Sequence, residues 1–294
     1  LIKIIVNPVA GGGSALRKWN EVSHLFSDYD VSFTQYRRHA QEIALSSLND
    51  YELIVAVGGD GTLYETLNGF FMNGAIANPR PALGFLPFGR ANDFAVMAKI
   101  PFDPVESVHS LLNGKDRMID VGMSEVEGKR EAFLINLAVG FESEAAMRSQ
   151  RGKFITSGEL RYFLLIFETL LGYRNQPMKI VVDGKEFSGK YFIADVFNGH
   201  LTGGGMVLVP DAKMDDGILD VFLAEDISKL DAVKLLPQTY SGKRLVHPKI
   251  SILQAREILI ETETPMYVVN DGETAGLTPV KVHVLPRVLK MRML

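Results

Sequence analysis

The sequence predicts an α/β fold plus a mainly-β one: an N-terminal doubly wound α/β domain, then an antiparallel β-sandwich or barrel. Three observations carry this expectation. The first third alternates short β-branched runs with helix-like segments, the rhythm of βα units on a mostly parallel sheet. Its run Leu53-Ile54-Val55-Ala56-Val57 is apolar throughout, as in a strand covered on both faces, and a glycine turn follows it directly. After about Asp120 the texture changes to alternating strands separated by Gly and Asp turns. The boundary is placed at 121/122, with a second unit over 122–284 and a tail of about 285–294 that can return to the first unit.

In order, strands are expected at Ile2 to Val6, Val31 to Thr34, Leu53 to Val57 and Ala82 to Leu86. Helices are expected at Ser14 to Phe26, Ala40 to Leu48, Leu63 to Asn73 and Pro104 to Leu112, the last stopping near Asn113-Gly114. In the second unit Lys179 to Lys185 and Tyr191 to Phe197 carry strand patterns. Helical interludes run from Glu142 to Tyr173 and from Leu230 to Tyr240, and further strands from Glu257 to Glu261 and Met266 to Val269.

Composition narrows the chemistry. The 294 residues are 47% hydrophobic and 22% charged, with a formal charge of −4, so no general attraction for nucleic acid or an anionic membrane is expected. Cysteine is absent, which excludes disulfides, thiolate catalysis and cysteine-bound zinc. The opening Leu1 to Val6 is too short for a signal-peptide core and is expected as a buried strand. The longest nearly apolar stretch, Tyr162 to Tyr173, is shorter than the roughly 20 residues of a spanning helix.

Three loops carry the chemistry. Gly58-Gly59-Asp60-Gly61-Thr62 stands where a buried strand meets a helix, the ligand-binding edge of an open α/β sheet. Its glycines let backbone N–H groups approach phosphate oxygens, and Asp60 beside phosphates makes sense if it holds Mg²⁺ or accepts a proton. The bare pattern is also that of a tight turn with an Asp cap. Asn7-Pro8-Val9-Ala10-Gly11-Gly12-Gly13-Ser14 follows the first strand in the same way, and no Walker lysine comes after it. A third strand-turn-helix segment, Gly84 to Ala95, offers Arg90 as a phosphate clamp, Asn92 as a contact or cap, and Asp93 as a plain helix cap.

With these loops in order, and with Glu65, Asn68, Asn198-Gly199, Gly203 to Gly205, Pro210 to Val221 and Asn270-Asp271-Gly272-Glu273 behind them, the chain resembles the diacylglycerol kinase catalytic family, which includes sphingosine kinases and bacterial lipid kinases. The glycine turn alone is shared with NAD kinases; the later segments separate the two. The resemblance implies an N-terminal nucleotide-binding domain and a C-terminal β-sandwich for the lipid. ATP would lie on Asn7, Pro8, Gly11, Gly12, Gly13, Thr34, Gly58, Gly59, Gly61, Thr62, Glu65, Gly89, Arg90 and Asn92. It also implies Glu273 as general base, Asp60 working with Mg²⁺, and a structural Mg²⁺ site on the carbonyls of Lys213 and Ile218 and the carboxylate of Asp216. Without the resemblance, that last segment reads equally as a β-turn. Arg90 departs from the family's threonine, replacing a hydroxyl with a guanidinium.

The expected reaction is transfer of the ATP γ-phosphate to a lipid hydroxyl, diacylglycerol first, giving phosphatidic acid. Alternatives are an NAD kinase-like enzyme and a non-catalytic nucleotide-binding regulator. The apolar stretch, with Arg148, Arg151, Lys153, Arg161 and Arg174 around it, is either a mouth for acyl chains near lipid headgroups or a core helix with basic ends. The resemblance further suggests a homodimer and a cytoplasmic enzyme with transient membrane-surface contact; nucleic acid is not an expected partner. Trp19 is expected to pack on a helix face.

Overall fold

The computed structural model describes residues 1–151 and 159–293, with backbone only at 151 and 159–163. Lys153 and the side chains of Arg151 and Arg161 lie outside the described residues. The N-terminal part runs β1 (Ile2–Val6), α1 (Ser14–Val22), β2 (Tyr29–Phe33), α2 (His39–Ser47), β3 (Leu53–Gly58), α3 (Asp60–Asn68), a small hairpin β4 (Phe71–Met72) and β5 (Ala75–Ile76), β6 (Ala82–Pro87), α4 (Asp93–Met97) and α5 (Pro104–Asn113). Strands β2, β1, β3 and β6 lie side by side in that order and all pair parallel. The chain moves outward from β1 in opposite directions to β2 and β3, so the loops after β1 and β3 flank a switch point, where open sheets leave a crevice.

Two apolar layers cover this sheet because its strands alternate. Val55 and Val57 face Trp19, Val22 and Leu111, while Ile54 and Ala56 face Ala40, Ala44, Leu63 and Leu67. Trp19 is 3% exposed and packs edge-on to Tyr29, as its helical position predicts. Helix α3 ends at Asn68, five residues short of the expected stop, because Gly69 closes it and Asn73-Gly74 form the tip of the β4–β5 hairpin, both with positive φ (51° and 82°). An Asn-Gly pair between short strands is a hairpin signal that outweighs the preceding helical periodicity.

The second part contains β7 (Lys115–Val126), β8 (Lys129–Phe133), β9 (Asn136–Val139), α6 (Phe141–Arg151), α7 (Glu159–Gly172), β10 (Gln176–Val182), β11 (Lys185–Phe197), β12 (Leu201–Thr202), β13 (Met206–Val207), β14 (Leu219–Glu225) and α8 (Lys229–Thr239). It closes with β15 (Ile250–Ala255), β16 (Glu257–Thr262), β17 (Tyr267–Asn270), β18 (Glu273–Leu277) and β19 (Val280–Met293). The long strand β11 pairs with β10 and then turns its second half to β14 and β9, all antiparallel. The sandwich core between the layers holds Phe133, Ile180, Val196, Val221, Ile260 and Val282.

Strand β19 joins the two parts. Val280 to Leu285 pair with the second half of β7, Leu289 to Met293 pair with its first half, and Met291 reaches β6 at Leu83. A bulge between Leu285 and Leu289, with Arg287 at φ 46°, breaks the register there.

Candidate functional site

The three glycine loops meet at the carboxyl ends of β1, β3 and β6. The Asn7 amide donates to Thr62 Oγ1 at 3.0 Å, tying the first loop to the second. Gly89 N–H donates to Gly58 O at 2.7 Å, and a Cβ on Gly89 would lie 2.3 Å from Gly59 Cα. Only glycine permits that approach of the second and third loops. A Cβ on Gly58 would lie 2.4 Å from Thr62 Oγ1. Gly11, Gly12 and Gly13 all have positive φ (63°, 72° and 89°), and the Arg90 guanidinium stands 3.1 Å from where a Gly12 Cβ would be. Pro8 lies between Asn7 and Val9, whose N–H donates to the side-chain Oδ1 of Asn7 at 3.2 Å. Thr34 is half-buried at the end of β2, its N–H bonded to Val6 O at 2.9 Å.

Asp60 heads α3 and also serves α4. Its carboxylate accepts the Phe94 N–H at 3.2 Å, supplying the cap that Asn92, the residue before that helix, does not. Asp93 is therefore not the cap its position suggests: its carboxylate accepts the Gly204 N–H at 3.0 Å, holding the Gly203–Gly205 loop of the sandwich against α4. Asn92 is 2% exposed with φ 55°, its amide bonded to Pro87 O at 3.1 Å and its Oδ1 without a partner among the described residues. Burial, and then the Asp93 charge, raise the Asp60 pKa above the usual carboxylate range.

The β17–β18 turn brings the sandwich to the same place. Asp271, at φ 47°, accepts the N–H groups of Leu134, Ile135 and Asn136 at 2.7, 2.8 and 3.0 Å, which anchors the turn on the start of β9. Burial pushes its pKa up to about 7 against those three donors. Two residues on, Glu273 Oε1 lies 3.0 Å from where a Gly61 Cβ would be, and Oε2 bonds Arg37 Nη2 at 3.0 Å. Burial raises the Glu273 pKa, Arg37 opposes that, and Glu65 adds to it. Glu65 accepts the Arg38 N–H at 2.8 Å, and Arg38 pairs with Glu131, which also accepts the Tyr64 hydroxyl at 2.7 Å. Asn68 is structural: its amide bonds Ala132 O at 3.1 Å and accepts the Ala132 N–H at 2.8 Å.

The segment with Lys213, Asp216 and Ile218 sits apart, over the β7–β19 bulge. Asp216 Oδ1 accepts the Ile218 N–H at 3.2 Å, an Asx turn. Asp120 accepts the Gly217 and Arg287 N–H groups at 2.6 and 2.7 Å, and Arg287 donates to Asp215 O. Burial, then the Asp216 charge, raise the Asp220 pKa, so an oxygen-rich, acid-rich loop stands there, a donor set that fits a hard cation. Among the described residues no three His, Asp or Glu side chains gather as a ready-made metal cage.

Arg37, Arg38, Tyr64, Glu131 and the anchoring role of Asp271 escape sequence reasoning. The consecutive arginines after Thr34 are the one local signal, and their partners lie 236 and 93 positions away.

Residues 2–124 match the diacylglycerol kinase catalytic domain and residues 136–293 match the YegS C-terminal NAD kinase beta sandwich-like domain. The chain belongs to the diacylglycerol kinase family. Within that family it is 28% identical to a diacylglycerol kinase of Bacillus subtilis over 286 residues, 94% of this chain and 91% of the relative. A diacylglycerol kinase of Staphylococcus epidermidis is 28% identical over 291 residues, 94% of this chain and 87% of that one. The crystal structure of a diacylglycerol kinase from Bacillus anthracis superposes with a TM-score of 0.75 at 25% identity, covering 100% of this chain and 96% of that one.

Proposed function

We propose that this protein is an ATP-dependent lipid kinase that transfers the γ-phosphate to the hydroxyl of diacylglycerol or a similar lipid alcohol, giving phosphatidic acid or its analogue. The observation that carries the reading is the Glu273 carboxylate lying against Gly61, a proton acceptor on the turn suited to hold phosphates. The turns Gly58 to Thr62 and Gly11 to Gly13 form the bed of the triphosphate, with Asn7, Pro8, Thr34, Glu65 and Gly89 shaping the site and Arg90 adding a charge-assisted contact. The unpartnered Asn92 oxygen suits a ribose hydroxyl or adenine amine rather than a phosphate. The lipid oxygen attacks the γ-phosphorus, the bond to the β-phosphate oxygen breaks, ADP leaves, and Glu273 takes the alcohol proton.

Mg²⁺ fits beside Asp60, whose carboxylate is crowded by Asp93, and at the Asp216 loop with the Lys213 and Ile218 carbonyls; when bound, it neutralises phosphate charge. The acceptor side is supported by an apolar recess of about 90 Å³ beneath α6, α7 and α8, lined by Phe141, Ile166, Leu170, Phe192, Phe222 and Leu235, with Glu142 among its lining residues. Leu164 and Leu171 on α7 are 60% and 67% exposed, which suits transient contact with a membrane surface. Among the described residues no helix is long and apolar enough to cross one.

The test is transfer of radiolabel from [γ-³²P]ATP in mixed micelles to diacylglycerol, ceramide, sphingosine, phosphatidylglycerol and undecaprenol, with NAD in parallel. Label in phosphatidic acid that vanishes with Glu273→Gln supports the reading. Label in NAD alone overturns it.

A further inference from the structure

The corner between β2 and α2 is built to present two guanidiniums to the cleft. Its backbone is pinned: Gln35 N–H bonds His39 Nδ1 at 3.1 Å, the Tyr36 ring stacks on His39 with centroids 4.4 Å apart, and the Tyr36 hydroxyl bonds Glu42 at 2.6 Å. Arg38 takes φ 69°, a conformation that a non-glycine residue holds only where its surroundings insist. This turn sends the neighbouring side chains to two different carboxylates of the sandwich part, Arg37 to Glu273 and Arg38 to Glu131.

The two arginines are not equivalent. Arg38 is committed, since its Glu131 partner is only 10% exposed and is held from the other side by Tyr64. The Arg37 side chain is 66% exposed, and among the described residues its one ion pair uses Nη2 alone. Asp93 stands close enough to Asp60, and Glu65 close enough to Glu273, for each to raise its neighbour's pKa, so a nucleotide triphosphate arriving in this cleft meets four further carboxyl groups. A guanidinium has five donors in a planar fork and can span a carboxylate and a phosphate together.

We propose that Arg37 is a charge-neutralising catalytic residue: its guanidinium, which here holds Glu273 across the cleft, also binds a γ-phosphate oxygen of ATP seated on the Gly58–Thr62 turn. The contact makes and breaks no covalent bond. It stabilises the phosphoryl group in flight and keeps the ionised Glu273 beside it. The proposal rests on the phosphate-binding and general-base readings given above.

The test compares the full-length protein with Arg37→Gln, Arg37→Lys and Arg38→Gln. Calorimetry in Mg²⁺ measures affinity for adenosine 5′-(β,γ-imido)triphosphate and for ADP, which differ in the γ-phosphate. Arg37→Gln should weaken the triphosphate analogue about tenfold and leave ADP within about twofold, as loss of one charge-assisted contact requires. Its kcat on dioleoylglycerol should fall by about 10² or more, and Arg37→Lys should recover part of both losses. Arg38→Gln should lower the melting temperature and leave the triphosphate-to-diphosphate ratio unchanged. An Arg37→Gln protein with the wild-type ratio, or with both affinities reduced equally, overturns the proposal. Because the ratio needs no turnover, it also separates this outcome from failure of the base reading, which full activity in Glu273→Gln would reveal.

Discussion

Asn7 and Thr62, 55 positions apart, are joined by a 3.0 Å hydrogen bond from the Asn7 amide to Thr62 Oγ1, so the first glycine loop is braced by the second. The same Asn7 bonds the Val9 N–H through its carbonyl oxygen, using both ends of its amide to shape the loop after β1.

Removing this brace should loosen the nucleotide site without unfolding the sheet beneath. Asn7→Ala and Thr62→Val should each weaken ATP binding about fivefold, near 1 kcal/mol for one neutral hydrogen bond. Calorimetry on the two single variants and the double variant checks it. Losses that simply add would show that the bond is not the cause.

Gly89→Ala should be far more damaging than any other single methyl addition in these loops. The new Cβ would meet Gly59 Cα at 2.3 Å and the Gly59 nitrogen at 2.8 Å, both backbone atoms that cannot swing aside. Nucleotide binding should be lost, with destabilisation of about 2 kcal/mol. Urea unfolding and ATP titration measure the two effects; near-normal ATP affinity would refute the close approach of the loops.

Activity should rise with pH over a range set by Glu273. As the proposed base, Glu273 would work only when ionised, and burial lifts its pKa above the ordinary 4.5, so the acid limb of kcat/KM should lie above that value. The groups facing it are Arg37 and Arg38 from the β2–α2 corner, which lower its pKa, and Glu65 from α3, which raises it. Glu65→Gln should therefore move the limb to lower pH. A limb that stays in place when this neighbouring charge is removed would count against Glu273 as the titrating group.

Stability should fall as pH rises from about 4 to about 7. Asp271 has its folded pKa raised from 3.8 to about 7, so the fold favours its protonated form. That contribution is complete below 3.8 and is lost as pH climbs through 7, on the order of 4 kcal/mol for this buried group. Asp271→Asn should flatten the dependence and lower stability at pH 4, because an amide NH2 replaces the oxygen that accepts the Leu134 N–H while Oδ1 can still accept those of Ile135 and Asn136. Melting curves between pH 4 and pH 8 decide it.

By itself the sequence determined the glycine loops and the parallel strands that carry them, because those features are local. Glycines within a few residues of a buried strand dictate a turn whose backbone can meet a ligand, and the change from βα rhythm to alternating strands marks the sandwich. Where two local signals competed, as at Asn73-Gly74 after α3, turn chemistry prevailed over helical periodicity. Only the tertiary structure decided who partners whom. Asp60 caps a helix 33 positions on because the third loop folds back over the second. Glu273 reaches Gly61 because three N–H groups at 134–136 seize Asp271 and hold its turn in the cleft. A carboxylate's choice of donor depends on which strands the sheet brings together and what water is excluded between them, and neither quantity is written in the neighbouring residues.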